Sequence, residues 1–315
     1  MKRFWLIYRK EDAERNKAYI EMYQNYAPEY GLECELVYVE ELQYGVKNGE
    51  PYLARNSNHF NQYGVPKQSK VLFDESDNEE CKGGDELPDF AIVRAILPSL
   101  NKQLELLGVP CLNNYQVSRI CNDKAECYRY LSGRGIPMPD TLFVANHEIA
   151  GFLKDCPNGT VLKAVDGHGG SQVCLYDGNA EEIIRIMGRS DMVAQKKVGN
   201  KNSDLRVYVI SGKVLASVLR ESNEGFRANF SLGGSVSLYS LKKSEQELVQ
   251  KIIDLFDFDM VGIDFIIDDD GNLVFNEIED VVGARMLYQC SDIDIVKEYL
   301  SYISKKIKGT TTHEN

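Results

Sequence analysis

The stretch that decides the fold is Val261-Gly262-Ile263-Asp264-Phe265-Ile266-Ile267, then Asp268-Asp269-Asp270-Gly271, then Leu273-Val274-Phe275-Asn276-Glu277-Ile278-Glu279. Two apolar runs flank an acidic, glycine-closed turn, which predicts a hairpin of two strands. Asp264 interrupts the first run between Ile263 and Phe265. Glu277 and Glu279 stand two apart on the second, so both face one side of a pleated strand. Carboxylates gathered this closely repel one another unless a cation neutralises them. With no His or Cys beside them, the oxygens suit Mg²⁺ or Mn²⁺. The bland alternative is three acids on an exposed hairpin; the apolar flanks favour the metal set of Asp264, Glu277 and Glu279.

Working backward, Asp204-Leu205-Arg206-Val207-Tyr208-Val209-Ile210 alternates, with Leu205, Val207 and Val209 on one face and Asp204, Arg206 and Tyr208 on the other. Ser211-Gly212 turns the chain into Val214–Leu219, an antiparallel partner that ends at Arg220. Phe226-Arg227-Ala228-Asn229 and Gly233-Gly234 follow. Arg206, Arg220 and Arg227 recur on successive segments with Asn229 close behind. A charged face is most often merely solvated, but above carboxylates these arginines fit clamps for anionic groups.

Further upstream, Thr160–Ala164 reads as a strand entering Asp166-Gly167-His168-Gly169-Gly170-Ser171, and Val173–Tyr176 returns from it. Glycines let backbone N–H groups approach phosphate oxygens, and Lys163 adds a point charge nearby. A flexible hairpin tip is the plain alternative. Lys196, Lys197 and Lys201 read equally well as phosphate contacts or as solvated side chains.

Phe4–Tyr8, a helix over Glu11–Tyr30 and a strand over Glu35–Val39 form a β-α-β unit, which implies a parallel sheet. Residues 45–87 read as a long irregular surface loop. Phe90–Val93 is a further strand and Leu97–Leu107 a helix stopped by Gly108 and Pro110. Helices are expected at 122–132, 180–187, 244–256 and 292–306, and a strand at 192–198.

The 315 residues allow two or three domains. With 43% hydrophobic and 27% charged residues the composition is that of a globular protein. No apolar run approaches the roughly 18 residues that span a bilayer. The basic start at Met1-Lys2-Arg3 precedes too short an apolar run for a signal peptide, so no membrane partner is expected and the reading is cytoplasmic. The 36 basic against 48 acidic residues give a net charge of −12, which disfavours nucleic acid as a partner. Eight cysteines without a C-x-x-C pair or His cluster argue against zinc and are expected to be reduced.

Taken in order, these segments resemble an ATP-grasp enzyme, and within that superfamily the RimK-like amino-acid ligases, over about residues 89–280. Ser118-Arg119-Ile120-Cys121-Asn122-Asp123-Lys124 is similar to the family pattern that places Lys124 on nucleotide phosphate. Gly135-Ile136-Pro137-Met138-Pro139 is similar to the start of the family's lid. Lys163 with Gly167, His168, Gly169, Gly170 and Ser171 looks like the part of the lid that closes over a triphosphate. Gln195-Lys196-Lys197-Val198 falls on the hinge, which implies adenine contacts from Gln195, Lys197 and Val198. Asp204, Arg206, Arg220, Arg227 and Asn229 correspond to phosphate and substrate clamps, and Asp264, Glu277 and Glu279 to metal ligands.

The resemblance implies a mixed α/β and α+β architecture: a pre-ATP-grasp α/β domain over 1–113, a small lid domain over 114–197, and a large metal-binding domain over 198–308. A disordered tail would follow at 309–315. It also implies an ATP- and Mg²⁺- (or Mn²⁺-) dependent, ADP-forming ligase. A carboxylate would be activated as an acyl phosphate and captured by the amine of an amino acid or peptide. A homo-oligomer is compatible with it. A phosphotransferase and a non-catalytic nucleotide-binding scaffold are the rival readings. Two departures stand out. Glu279 replaces the family's usual Asn and leads into Asp280-Val281-Val282-Gly283-Ala284-Arg285, a loop placed at the acceptor site, and Lys196 replaces an acidic hinge residue.

Overall fold

The computed structural model describes residues 1–55, 70–73, 87–170, 172–199, 202–221 and 235–310. Contacts divide the chain into two compact units, Met1–Ser118 with Asp294–Asn315, and Arg119–Ile293.

In the first unit β1 (Lys2–Tyr8) is the middle strand of a parallel sheet, and Phe4 to Tyr8 are all buried. A central strand covered on both faces requires this continuous apolar run. The helix expected over Glu11–Tyr30 is broken into α1 (Lys10–Arg15) and α2 (Lys17–Tyr26), with a 3₁₀ turn over Ala27–Tyr30. Asn16 causes the break: its amide Nδ2 donates to the Asp12 carbonyl at 2.7 Å, drawing on an acceptor the helix would use. Gly31, at φ +73°, ends the segment and β2 (Leu32–Tyr38) pairs in parallel with β1.

The irregular loop expected over 45–87 is corrected in part. β3 (Leu42–Lys47), β4 (Glu50–Arg55) and β5 (Lys70–Phe73) form an antiparallel sheet. Asn48 and Gly49 carry φ of +54° and +91°, the backbone of a tight two-residue hairpin. Residues 56–69 and 74–86 lie outside the described residues. β6 (Phe90–Val93) pairs with the other side of β1, giving the order β2-β1-β6, and α3 (Pro98–Leu106) and α4 (Tyr115–Cys121) follow. Trp5, Ile7, Ala91 and Val93 pack with Leu100 and Leu104 into the core of this unit.

In the second unit α5 (Lys124–Leu131) starts at Asp123, whose carboxylate accepts the Glu126 N–H at 2.8 Å. A four-stranded antiparallel sheet joins β7 (Thr141–Val144), β8 (Thr160–Ala164), β9 (Val173–Leu175) and β10 (Met192–Lys196) in the order β7-β10-β8-β9. α6 (Ile149–Phe152) and α7 (Ala180–Met187) accompany it, and Leu162, Met192, Ile149 and Ile183 meet in its core.

A five-stranded antiparallel sheet follows. It contains β11 (Ser203–Ile210), β12 (Lys213–Glu221), β13 (Ser235–Leu238), β14 (Met260–Ile267) and β15 (Leu273–Glu279), in the order β13-β12-β11-β14-β15. Ser211 and Gly212, both at positive φ, make the turn between β11 and β12. α8 (Lys243–Ile253) precedes β14, and α9 (Arg285–Cys290) follows β15 and lies against β12 and β13.

The last helix, α10 (Ile295–Thr310), belongs by its contacts to the first unit, whereas the sequence reading grouped it with the metal-binding part. It packs on α2 and on the Ala27–Tyr30 turn, and Ser304 Oγ donates to the Tyr30 carbonyl at 2.9 Å. Its buried Ile295, Tyr299, Leu300 and Ile303 follow a helical stripe, which shows amphipathicity but not the surface that covers it. No helix among the described residues is long and apolar enough to cross a membrane. Among the described residues Cys34, Cys111, Cys121, Cys127, Cys156, Cys174 and Cys290 form no disulfide.

Candidate active site

Strand register builds the site. Arg206 on β11 lies opposite Asp264 on β14, and Asp264 lies opposite Glu277 on β15. Gly262 lies opposite Glu279, and Asp204 opposite Arg220 on β12. Directly opposed residues of antiparallel strands share a face. One face of the large sheet therefore carries Asp204, Arg206, Arg220, Asp264, Glu277 and Glu279 together.

The arginines are engaged by the protein's own carboxylates. Arg206 donates from Nε to Asp264 Oδ1 and from Nη2 to Oδ2, both at 2.7 Å. The same Nη2 reaches Glu279 Oε1 at 2.7 Å. Arg220 donates to Asp264 Oδ2 at 2.8 Å and, through Nε, to Asp204 Oδ1. Burial alone would raise the Asp264 pKa, but the two guanidiniums together outweigh it and hold the group at about 2. Asp204 goes the other way: burial and the neighbouring Asp264 charge outweigh Arg220 and push it up to about 7. Burial likewise raises Glu279 against the pull of Arg206. Arginine thus offsets the repulsion at Asp264, while Asp204 and Glu279 remain raised.

Two buried lysines and the glycine-rich tip are joined to this row through Glu277. Lys124 Nζ lies 3.5 Å from Glu277 Oε2 and donates to the Gly167 carbonyl of the glycine-rich tip. Lys163 donates to Asn276 Oδ1 at 2.8 Å, and burial, reinforced by nearby Lys124 and opposed by Glu277, lowers it to about 8. His168 is lowered too, first by burial and then by Lys124. Gly169 and Gly170 adopt φ of +62° and +73°, a backbone that favours glycine. Four carboxylates (Asp204, Asp264, Glu277, Glu279) and four cations (Lys124, Lys163, Arg206, Arg220) therefore share one network.

Asn276 was quoted in the sequence without a role, and it proves central. The β14–β15 pairing slips between Asp264 and Phe265, leaving Asn276 as the extra residue of a bulge. Its side chain turns to Lys163, and its carbonyl accepts the Tyr128 hydroxyl at 2.8 Å. A bulge is a property of pairing, so no sequence signal marks it. Gln195 is buried on β10 and donates to Thr141 Oγ1 on β7 at 2.9 Å; Lys197 and Val198 follow β10, half-buried. Ser171, Lys201, Arg227, Asn229, Gly233, Gly234 and residues 311–315 lie outside the described residues.

The donor set fits a hard divalent cation. Ligand oxygens of Asp264, Glu277 and Glu279 lie within 4.8 Å of one another. A carboxylate oxygen offers two lone pairs. Asp264 Oδ2 uses both on guanidinium N–H groups, whereas Oδ1 uses one and keeps one. Glu279 is bonded through Oε1, leaving Oε2, and Glu277 meets Lys124 through Oε2, leaving Oε1. Each of the three side chains thus keeps acceptor capacity for Mg²⁺ or Mn²⁺.

Fold and site together define a nucleotide-dependent ligase of the ATP-grasp class. The family model for the RimK-like ATP-grasp domain matches residues 121–303, and the chain belongs to that family. It is 32% identical over 225 residues to human N-acetylaspartylglutamate synthase A, covering 66% of this chain and 58% of that protein. It is 28% identical over 242 residues to a probable alpha-L-glutamate ligase of Mannheimia succiniciproducens, covering 71% and 79%. Among solved structures it resembles a Chryseobacterium gregarium RiPP-associated ATP-grasp ligase in complex with ADP and a leader and core peptide. The TM-score is 0.61 at 16% identity, over 97% of each chain. The chemistry of this class is ATP-dependent joining of a carboxylate to an amine, with an amino acid or peptide as substrate.

Proposed function

We propose that this chain activates a carboxylate with ATP and joins it to the amine of an amino acid or a peptide end, releasing ADP and phosphate. The observation that carries this is the meeting at Glu277 of two buried lysines with a row of metal-competent carboxylates. Lys124 and Lys163 hold phosphate charge, and the tip at Gly167–Gly170 closes over it to exclude water. Gln195, Lys197 and Val198 contact adenine. Asp264, Glu277 and Glu279 hold Mg²⁺, which neutralises phosphate charge when bound. Arg206 and Arg220 hold the anionic groups of the transferring phosphoryl and the substrate, exchanging part of their carboxylate pairing for them. Arg227 and Asn229 complete the clamp. The four-stranded sheet serves as the lid and the five-stranded sheet as the metal-binding part.

The test is ADP release by the full chain with Mg²⁺·ATP, screened against L-glutamate, the other amino acids and dipeptide pools, each with and without a carboxylate partner. Release that depends on an amine, with an amide product seen by mass spectrometry, supports the reading. ADP release that needs no amine and leaves a stable phosphorylated product refutes it.

A further inference from the structure

Three residues on the site face take no part in this chemistry, yet they lie beside the Arg206–Glu279 ion pair. In register, Tyr208 opposes Gly262 and Gly262 opposes Glu279. Glycine inside a strand weakens it and commonly marks a close approach. Here the approach is by Val282: a Cβ at Gly262 would fall 2.6 Å from Val282 Cγ2 and 3.5 Å from Arg206 Cδ. Val282 is fully buried in that gap. Next to it the Tyr208 hydroxyl donates to the Gly283 carbonyl at 3.0 Å. One turn further on, Met286 Sδ lies 4.0 Å from Arg220 Nη1. The chain leaving β15 is thus folded back onto the sheet by an apolar plug, a hydrogen bond and a thioether contact. It begins next to Glu279 and ends at exposed Arg285, the first residue of α9.

We propose that Tyr208, Gly262 and Val282 are positioning residues. Together they clamp the Asp280–Arg285 loop against the sheet, and the position of that loop governs how the acceptor is recognised. The acceptor part rests on the ligase reading; the clamp itself does not. Displacing Val282 moves the segment that joins Glu279 to Arg285, so the effect falls on the acceptor side, with a smaller effect through Glu279 on the metal. The nucleotide lysines Lys124 and Lys163 belong to other strands and helices of the unit and are left in place.

The test compares Tyr208→Phe, Gly262→Ala and the double variant Gly262→Ala/Val282→Ala with wild type in the full chain. Hydrogen–deuterium exchange is followed over residues 280–290 with Mg²⁺·ADP present. Tyr208→Phe and Gly262→Ala are expected to speed that exchange at least tenfold while the affinity for ADP measured without Mg²⁺ stays within twofold. With L-glutamate or the dipeptide pools as acceptor probe, KM for the acceptor rises severalfold and by more than KM for ATP. The double variant, which trades the valine methyls for the alanine Cβ, returns exchange and acceptor KM toward wild type. Unchanged exchange in Gly262→Ala, no rescue by Val282→Ala, or equal loss of nucleotide and acceptor affinity would overturn the clamp. Wild-type protein that shows no acceptor-dependent ADP release instead overturns the ligase reading, and the exchange and rescue results still judge the clamp.

Discussion

Replacing Asp264 by Asn keeps the side-chain volume and removes the charge on which two guanidiniums converge. Asp264 is 2% exposed and accepts three charge-assisted hydrogen bonds, at 2.7, 2.7 and 2.8 Å. Removing one partner of a buried ion pair costs about 3–5 kcal/mol. The lower end applies, because Arg206 keeps Glu279 and Arg220 keeps Asp204. A second route agrees: the drop of this carboxyl from 3.8 to about 2 corresponds to roughly 2–3 kcal/mol at ~1.4 kcal/mol per unit. That stabilisation is fully present above pH 3.8 and is lost as the pH falls through 2. A chain of two units has no single unfolding free energy, so the assay must be local. Hydrogen–deuterium exchange at pH 7, without nucleotide, on peptides covering β11 and β14 meets that need. Amides there are expected to exchange about 30- to 150-fold faster in Asp264→Asn, with β1 unchanged as an internal control. Exchange in β11 and β14 within threefold of wild type would show that the arginine pairing contributes nothing, and the charge-balance argument would fall.

Lys163, held near 8 by burial, predicts a pH dependence of nucleotide affinity. Phosphate favours its charged form, so Mg²⁺·ATP affinity is expected to be level below pH 8 and to fall by up to tenfold per unit above it. The same shift opposes folding below pH 8 and is relieved as the pH rises toward 10.5. A fluorescent-nucleotide titration from pH 7 to 9.5 checks this, and a profile that Lys163→Met leaves unaltered would refute it. Gly199, at φ +67°, lies so close to β14 that a Cβ would fall 2.5 Å from the Ile267 carbonyl oxygen. Gly199→Ala is expected to cost about 2 kcal/mol through strain and that clash, speeding amide exchange in β14 about 30-fold; unchanged exchange there would count against it.

Much of the site was legible because strand alternation is a local property. Leu205, Val207 and Val209 alternate with Asp204, Arg206 and Tyr208, and that alone places the charged row on one face. The hairpin ending in Glu277 and Glu279 was equally plain from its apolar runs and acidic turn. The Asn48-Gly49 turn was also local, and its pairing of β3 with β4 is the kind of signal a closer reading of 45–87 contains. What the alternation could not say was which charge meets which. Reading Arg206 and Arg220 as clamps for a ligand is compatible with their geometry, yet the structure pairs both with Asp264. The Arg206 pairing follows from the register of β11 against β14, set by contacts far apart in the chain, and β12 brings in Arg220 through its hairpin with β11.

The sequence by itself determined the residue types and their order: lysines and glycines, then arginines, then carboxylates, on segments whose periodicity fixes their faces. Tertiary structure alone decided four further matters. It balanced four carboxylates with four cations, turned Asn276 toward Lys163 through a bulge, and seated Val282 in the gap left by Gly262. It also placed α10 with the first unit. The physical reason is common to all of these. Periodicity is written in neighbouring residues, whereas register, bulges and close approaches exist only once distant strands are paired.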